Sequence, residues 1–265
     1  MEIIGEKING TRESVARAIV ERDAAFIRDL ACKQAEAGAD WLDVNAGTHP
    51  DREPDDLVWL VERVQEATDT PLCLDSSNPQ ALATAIDAVE RPPMINSISG
   101  EPERLEGILP LVAEHDFRVI ALAMGASRVP ETSEDRLAAA SEVLAATRAA
   151  GVPDEQVYVD PLALTIGTNY ESGRVFLDTL ETVRAAYPEV HFTVGLSNIS
   201  FGMPARSLIN RAFLTLALGA GLDSAILDPL DRELRAVLLA AELVLGRDRH
   251  CLCFTRAYRS GLFDG

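Results

Sequence analysis

The sequence predicts a (β/α)8 barrel formed as a single domain by residues 1–265. Eight apolar runs of strand length alternate with longer segments of helical periodicity, which is the pattern of a parallel barrel. A chain of 265 residues with 47% hydrophobic residues can bury one substantial core, and barrels of this length commonly form one domain. An open doubly wound sheet shares the alternation, but Gly5 stands alone after the first strand, so the dinucleotide fingerprint is absent.

The eight predicted strands are short, and most of them end in polar residues. They cover residues 3–9, 41–46, 72–76, 94–97, 119–124, 157–162, 193–198 and 225–228. Seven amphipathic segments between them are long enough for crossover helices, at 24–37, 55–67, 79–89, 102–114, 135–149, 173–186 and 207–220. Gly38, Gly151 and Gly221 follow three of these segments, where helix C-termini are expected.

Polar side chains gather at the carboxyl ends of seven predicted strands. They are Glu6 and Asn9, Asp43 and Asn45, Asp75 and Ser76, Asn96 and Ser97, Asp160, Ser197 and Asn198, and Asp228. These ends share one mouth in a closed barrel, which is where barrel active sites form. A single such residue can instead cap the next helix, and for Asp43 and Asp228 that interpretation is as good as a functional one. The whole set favours a ligand site.

The chemistry of this set points to a pterin. A pterin edge presents N3–H and a 2-amino group as paired donors, so a buried carboxylate such as Asp160 can accept two hydrogen bonds from it. An amide such as Asn96 can both donate and accept. Asn198 lies in the run 195–200, and its neutral amide can bind a substrate nitrogen without taking up a charge. Lysine is missing from every strand end except the first, which disfavours phosphorylated sugars.

The charge and the cysteine spacing exclude several classes of function. A net charge of −18 and a pI near 4.6 argue against nucleic acid and anionic membranes as partners, because both require clustered cations. The first residues include acids, and no run reaches membrane-spanning length, so we expect a cytoplasmic protein. The four cysteines and four histidines have no zinc-site spacing, so we expect no metal bound by this chain.

Seven motifs, in order along the chain, resemble the methyltetrahydrofolate:corrinoid protein methyltransferases. They are IIGEKING (3–10), LDVNAG (42–47), CLDS (73–76), MINS (94–97), VDPL (159–162), GLSNIS (195–200) and RSLINR (206–211). The likeness extends from residue 3 to about residue 256. It implies a pterin-binding barrel that moves a methyl group between N5 of methyltetrahydrofolate and the cobalt of a corrinoid, which a separate protein carries.

The resemblance also implies a role for each matching residue. Asp75, Asn96 and Asp160 are expected to hydrogen-bond the pterin, with Ser197 among the substrate-binding groups, and Asn198 is expected near N5. Glu6, Asn9, Asp43, Asn45 and Arg206 are expected to support the pocket. N5 is a poor leaving group, so it needs a proton or a strong hydrogen bond as the C–N bond breaks. Asn198 can supply the hydrogen bond, whereas a proton must come from water or from a network that the amide orients.

The partner and the direction of transfer stay open at this point. Loops 125–130 and 165–173 do not match the family and would face the corrinoid protein, which could serve acetyl-CoA synthesis, O-demethylation or methylamine use. The resemblance implies a homodimer and a transient complex over the C-terminal face of the barrel. One alternative is a dihydropteroate synthase-like enzyme, which must also bind the pyrophosphate of its substrate. The C-terminal region has no lysine- and serine-rich motif for that group, and its nearest candidate cations are Arg256 and Arg259. Another is a non-catalytic folate-binding barrel, which would not need Asn198.

Overall fold

Eight parallel strands form one continuous sheet in the computed structural model, which describes residues 1–126 and 128–263. The spatial order is β7-β6-β5-β4-β3-β2-β1-β8, so sequential strands are neighbours. The strands are β1 (Glu2–Asn9), β2 (Trp41–Asn45), β3 (Leu72–Asp75), β4 (Met94–Ile98), β5 (Arg118–Leu122), β6 (Val157–Asp160), β7 (His191–Phe192) and β8 (Ser224–Leu227). The predicted barrel is confirmed.

The barrel is closed just beyond the short strand β7. The Ile226 amide of β8 donates to the Val194 carbonyl at 2.9 Å, and Gly195 and Ile226 form a parallel bridge. The chain then turns into a 3₁₀ helix, Leu196–Ser200. The prediction of a strand over 193–198 is therefore wrong in its bounds, since β7 covers only His191–Phe192, residues 193–195 are extended with a single bridge at Gly195, and a 3₁₀ helix begins at Leu196. Within the turn the backbone N–H of Asn198 donates to the Gly195 carbonyl at 3.2 Å, a local bond that replaces strand pairing.

Helices cover the outside of the barrel between the strands. They are α1 (Glu13–Glu21), α2 (Ala24–Glu36), α3 (Glu53–Gln65), α4 (Pro79–Ile86), α5 (Pro102–Gly107), α6 (Leu109–His115), α7 (Ser133–Ala149), α8 (Ser172–Ala186), α9 (Arg206–Gly219), α10 (Arg232–Val244) and α11 (Leu252–Arg259). The helix predicted over 102–114 is broken at Ile108, because Pro110 has no N–H to donate and can occupy only the first turn of α6. Helices α1, α10 and α11 were not predicted.

Apolar stripes on the helices seal the outer surface of the sheet. Helix α3 shows the pattern, since Leu57, Leu60, Val61 and Val64 are fully buried at spacings of three, one and three. No helix in the described part of the chain is long and apolar enough to cross a membrane.

Two layers of side chains fill the barrel interior. The lower layer holds the apolar residues Ile4, Trp41, Cys73, Met94, Ile120 and Tyr158. Side chains alternate between the two faces of a strand, so the residue two positions further along each strand also points inward. In these six strands that residue lies at the mouth: Glu6, Asp43, Asp75, Asn96, Leu122 and Asp160. The apolar layer is thus the floor beneath a layer that is polar at five of six positions.

Candidate active site

A cavity of about 430 Å³ opens at the C-terminal end of the barrel. Eight of the predicted site residues line it, and they are Glu6, Asn9, Asp43, Asp75, Asn96, Asp160, Ser197 and Asn198. The remaining lining residues are Thr11, Arg12, Ser97, Leu122, Gly195 and Ile226. The volume suits a small bicyclic ligand, since ligand pockets commonly measure about 300–1,000 Å³.

Two carboxylate–amide pairs form the side of the cavity on β2, β3 and β4. The Asn45 side-chain nitrogen donates to Asp75 Oδ2 at 2.8 Å, and the Asn96 side-chain nitrogen donates to Asp43 Oδ1 at 3.2 Å. Each bond joins residues on different strands. Asn45 lies outside the lining of the cavity, and its observed contact is to Asp75, which fits the supporting role predicted for it.

The carboxyl groups on this side hold protons more tightly than exposed acids do. Burial, followed by the negative charge of Asp75, raises the pKa of Asp43 well above its ordinary value. Burial also raises the pKa of Asp75, while the bond from Asn45 opposes that rise. Cys73 lies below them, and burial followed by the charge of Asp43 raises the pKa of its thiol. The thiol is therefore held in its neutral form and is a poor nucleophile.

Asp160 forms the opposite side of the cavity, at the end of β6. Its side chain is buried and its Oδ1 accepts the backbone amide of Leu162 at 2.7 Å. Burial raises its pKa to about 6, while backbone bonds from Leu162 and Gly195 and the charge of Arg136 oppose the rise. Asp160 is thus an ionised acceptor at neutral pH, and burial has removed much of its solvation.

Asn198 lies at the rim of the cavity, on the 3₁₀ turn after β7. Its side chain is exposed and faces the opening. A Cβ atom added to Gly195 would lie 2.7 Å from the amide nitrogen of Asn198, so the amide is folded back over the backbone of residue 195. The absence of a side chain at Gly195 creates the space that the Asn198 amide occupies.

Arg206 braces this turn from the start of α9. Its Nη2 donates to the Ser197 carbonyl at 2.8 Å, and its Nε donates to the Ser200 hydroxyl at 3.2 Å. The Ser200 hydroxyl also bonds the Asn210 side chain at 2.6 Å. Arg206 lies outside the cavity lining, and it acts on the segment that carries Ser197 and Asn198. The position agrees with the supporting role predicted for it.

Strand β1 contributes a charged rim. Glu6 pairs with Arg12 at 2.9 Å, and burial raises the pKa of Glu6 although Arg12 lowers it. Asn9 accepts the backbone amide of Thr11 at 2.9 Å through its side-chain oxygen, which shapes the loop after the strand. Arg12 was missed in the sequence, because it lies in the loop beyond the strand and only the fold brings it to the mouth.

Besides Asn45, two further residues predicted at the strand ends lie outside the cavity lining. Asp228 pairs with Lys7 at 2.6 Å and accepts the backbone amide of Leu230 at 3.0 Å, so it closes the turn after β8. Ser76 donates to Glu53 at 2.6 Å. Both contacts fit the structural interpretation of a polar residue after a barrel strand.

Arg136 was also missed, although it is one of the largest fully buried side chains of the described residues. It belongs to the stripe of α7 that includes Ala139, Ala140 and Val143. The sequence contained the signal, since an arginine three and four residues before core positions of a helix lies on the buried face.

The cavity offers hydrogen-bond acceptors on two sides and an amide at its rim. A carboxylate such as that of Asp160 can accept the two adjacent N–H donors of a planar heterocycle, while side-chain amides can donate to its ring acceptors. Across residues 1–126 and 128–263, no group of three or more His, Cys, Asp or Glu side chains could hold a metal ion.

Comparison with known proteins indicates the family of enzymes to which the cavity corresponds. Residues 5–228 match the family described as pterin binding enzymes. The methylcorrinoid:tetrahydrofolate methyltransferase of Eubacterium limosum is 39% identical over 263 residues, which is 98% of this chain and 97% of that protein. The methionine synthase of Mycobacterium tuberculosis is 31% identical over 237 residues, covering 84% of this chain and 20% of that protein.

Solved structures add evidence on the fold. A dihydropteroate synthase from Xanthomonas albilineans superposes with a TM-score of 0.70 at 21% identity, covering 94% of this chain and 93% of that one. A dihydropteroate synthase from Coxiella burnetii, in complex with pteroic acid, gives a TM-score of 0.67 at 18% identity, with 92% of each chain covered. At these identities the likeness establishes the shared barrel alone.

Proposed function

Because this chain belongs to the pterin-binding enzyme family, we propose that it transfers a methyl group between N5 of methyltetrahydrofolate and the cobalt of a corrinoid carried by another protein. The observation that carries the proposal is the likeness to a methylcorrinoid:tetrahydrofolate methyltransferase, at 39% identity over nearly the whole of both chains. That likeness supports methyl transfer between a folate and a corrinoid. We place the reaction in the cytoplasm.

The pterin is proposed to bind between the two sides of the cavity. Asp160 accepts the N3–H and 2-amino donors, because its carboxylate is ionised at neutral pH and has lost much of its solvation. Asp75 and Asn96 contact the ring from β3 and β4, where Asn45 and Asp43 hold them in place. Ser197, on the turn before Asn198, completes the contacts of the substrate. Glu6 and Asn9 support the rim.

Asn198 is proposed to act on N5. The nitrogen gains electron density as its bond to the methyl carbon breaks, so a hydrogen bond from the Asn198 amide strengthens in the transition state. The amide does not titrate usefully, so the proton that N5 finally takes comes from water or from a network that Asn198 orients. The exposed position of the amide at the cavity rim fits a group that meets both the folate and the incoming corrinoid.

The corrinoid is a substrate carried by the partner, and its cobalt supplies or accepts the methyl group. The partner must reach the mouth of the barrel, since the cavity opens there. Tyr170 is 86% exposed on the loop after β6, and Phe201 is 69% exposed directly after the Asn198 turn. The Thr165 hydroxyl donates to the Phe201 carbonyl at 2.6 Å, so the two loops form one surface. We propose that the partner docks transiently on this surface.

A homodimer is proposed to form away from the mouth, on helices α9 and α10. An apolar groove of about 300 Å³ is lined there by Thr215, Val237, Ala240, Ala241, Val244 and Leu245. Val244 is 85% exposed and Leu216 is 59% exposed beside the groove. Exposed apolar patches of this kind often mark interfaces. A dimer through this face leaves the C-terminal mouth free.

The direct test is methyl transfer between methyltetrahydrofolate and cob(I)alamin, followed through the corrinoid spectrum, and the reverse reaction from methylcobalamin to tetrahydrofolate. We expect catalysed transfer in both directions, with a further gain when a corrinoid protein replaces the free corrinoid. Calorimetric folate binding without any transfer would instead indicate a non-catalytic folate-binding barrel. Crosslinks to the corrinoid protein that map only to the opposite, N-terminal face would contradict the docking surface.

A further inference from the structure

Arg136 places a guanidinium group inside the protein, next to the loop that follows Asp160. Only 1% of the residue is exposed. Its Nη1 donates to the carbonyls of Pro161 and Leu162, both at 2.8 Å, and its Nε donates to the Pro130 carbonyl at 3.3 Å. Burial lowers the pKa of Arg136, and the charge of Asp160 opposes that change.

These contacts require an explanation, because burying a cation is costly. An ionised side chain in a protein interior must be paired or fully hydrogen-bonded. Arg136 meets this demand mainly with backbone carbonyls, and two of the three belong to the residues directly after Asp160. An apolar residue at this position would continue the core stripe of α7 without that cost. The arginine therefore serves the loop it contacts.

The loop needs support where Arg136 binds it. Leu162 adopts a left-handed conformation with φ of 67°, which is uncommon for a residue with a side chain. In this conformation its amide turns back and donates to Asp160 Oδ1 at 2.7 Å, while its carbonyl faces Arg136. One residue thus connects the buried guanidinium to the buried carboxylate. The Leu162 carbonyl accepts two hydrogen bonds, from Arg136 Nη1 at 2.8 Å and from the backbone amide of Leu164 at 3.1 Å, and the shorter of the two comes from Arg136.

We propose that Arg136 is a positioning residue for the carboxylate that binds the substrate: by fixing the Pro161 and Leu162 carbonyls, it holds Asp160 oriented toward the cavity for the paired donors of the ligand. The proposal rests on the proposed function, because it assumes that Asp160 binds the pterin. Arg136 would thus act on the ligand indirectly, through Leu162 and Asp160.

The surroundings of Asp160 make its ionisation a usable readout. Strand β5 places Leu122 beside it, and the segment after β7 places Gly195 there, and neither side chain titrates. Arg136 supplies a positive charge from α7. The other titratable or charged groups that line the cavity are Glu6, Arg12, Asp43 and Asp75. Removal of Arg136 should therefore move the pH at which Asp160 takes up a proton.

The experiment measures methyltetrahydrofolate affinity by calorimetry from pH 5 to pH 8. The variants are Arg136→Lys, Arg136→Gln and Asp160→Asn, together with the double variant Arg136→Lys/Asp160→Asn. Arg148→Gln is the matched control, because Arg148 lies on the same helix but is half exposed and pairs with Asp154. Circular dichroism and thermal unfolding check each fold. Arg136→Lys is the variant that keeps a charge if Arg136→Gln does not fold.

We expect Arg136→Lys to lower affinity about tenfold at neutral pH, since an ammonium group cannot reproduce the fork of bonds to three carbonyls. Arg136→Gln should lower affinity further and raise the midpoint of the pH dependence by up to about one unit, because Asp160 loses a nearby cation. In the Asp160→Asn background, Arg136→Lys should cost little, and Arg148→Gln should bind as the unmodified protein does.

Two results would overturn the inference. One is an unchanged affinity and pH midpoint in a folded Arg136→Lys or Arg136→Gln variant while Asp160→Asn weakens binding. The other is an equal loss from Arg136→Lys with and without Asp160→Asn, which would show that Arg136 acts independently of that carboxylate. If Asp160→Asn itself leaves folate binding unchanged, the assignment of Asp160 in the proposed function fails instead.

Discussion

The amide nitrogen of Asn198 lies 2.7 Å from the point that a Cβ atom on Gly195 would occupy. The two residues are three positions apart on a 3₁₀ turn, which is closed by a bond from the backbone N–H of Asn198 to the Gly195 carbonyl. Any side chain at residue 195 must displace the side-chain amide of Asn198. The position of the proposed N5 contact depends directly on a glycine.

Gly195→Ala should consequently slow methyl transfer. The added methyl group pushes the Asn198 amide out of place, and a displacement of about 1 Å in a catalytic group can cost roughly a hundredfold in rate. Gly219→Ala is the matched control, because a Cβ there meets nothing within 4 Å. Steady-state rates with cob(I)alamin measure the difference. Equal rates for the two variants would show that the Asn198 amide does not need this position.

Folate binding should depend on pH through Asp160. Burial raises the pKa of Asp160 to about 6, so affinity should fall roughly tenfold per pH unit below that value as the acceptor is protonated. Asp160→Ala should weaken binding by about 1.5–3 kcal/mol at pH 7.5, because the donors of the ligand lose their acceptor. Calorimetry of the unmodified protein, of Asp160→Ala and of Asp160→Asn checks both points. A pH dependence near 6 that survives in Asp160→Asn belongs to another group.

The same shift has the opposite sign for the stability of the unliganded protein. The pKa of Asp160 is higher in the folded state than its ordinary value of 3.8, so the folded state binds the proton more tightly. Its contribution to stability is present below pH 4 and is lost as the pH rises through about 6. Urea unfolding at pH 5 and pH 8, with Asp160→Asn as reference, isolates this contribution. Bound folate should reverse this pH dependence of stability.

Methyl transfer should not require a metal bound by this chain. The corrinoid brings its own cobalt, and Asn198 is proposed to assist N5 by hydrogen bonding, so no further ion has a role. Dialysis against a chelator should leave the rate with cob(I)alamin unchanged. A loss of activity that added zinc restores would contradict the mechanism and would indicate ligands outside the arrangement described above.

Val244→Glu should convert the proposed homodimer into a monomer. A carboxylate at the centre of an apolar interface would be buried without a partner, which disfavours association strongly. Val20→Glu on α1 is the matched control, since Val20 is 66% exposed but lies away from the groove. Sedimentation velocity measures the two variants. If Val244→Glu is still a dimer, or if the unmodified protein is a monomer, then α9 and α10 do not form the interface. Both variants should keep the unmodified rate of methyl transfer with cob(I)alamin.

Strand periodicity explains why much of the cavity could be predicted. Asp43, Asp75 and Asp160 each follow an inward-facing apolar residue by two positions, so a correct strand assignment places them inside the barrel mouth. The run 193–198 was assigned wrongly, because Val194 and Leu196 have the spacing of a strand although the chain turns into a 3₁₀ helix at Leu196. Asn198 still lines the cavity, because the 3₁₀ turn follows β7 at the C-terminal end of the barrel.

The residues that were not predicted reach their positions through tertiary contacts or lie on the buried faces of helices. Arg12 reaches the mouth only because the loop after β1 folds back to bring it to Glu6. Helix α10 had clear signals, since Asp231 caps it and Leu234, Leu238 and Ala241 form its buried stripe. Arg136 was equally readable from its stripe. What the sequence could not supply is which backbone carbonyls that arginine would bind.

Asn198 is proposed to activate N5 in the transition state. Stopped-flow methyl transfer to cob(I)alamin, measured beside calorimetric folate binding, tests it with Asn198→Ala. We predict a rate about a hundred- to thousandfold lower with nearly unchanged affinity, since loss of one transition-state donor costs about 2.7–4 kcal/mol. A folded Asn198→Ala variant that transfers the methyl group at the unmodified rate would contradict the claim.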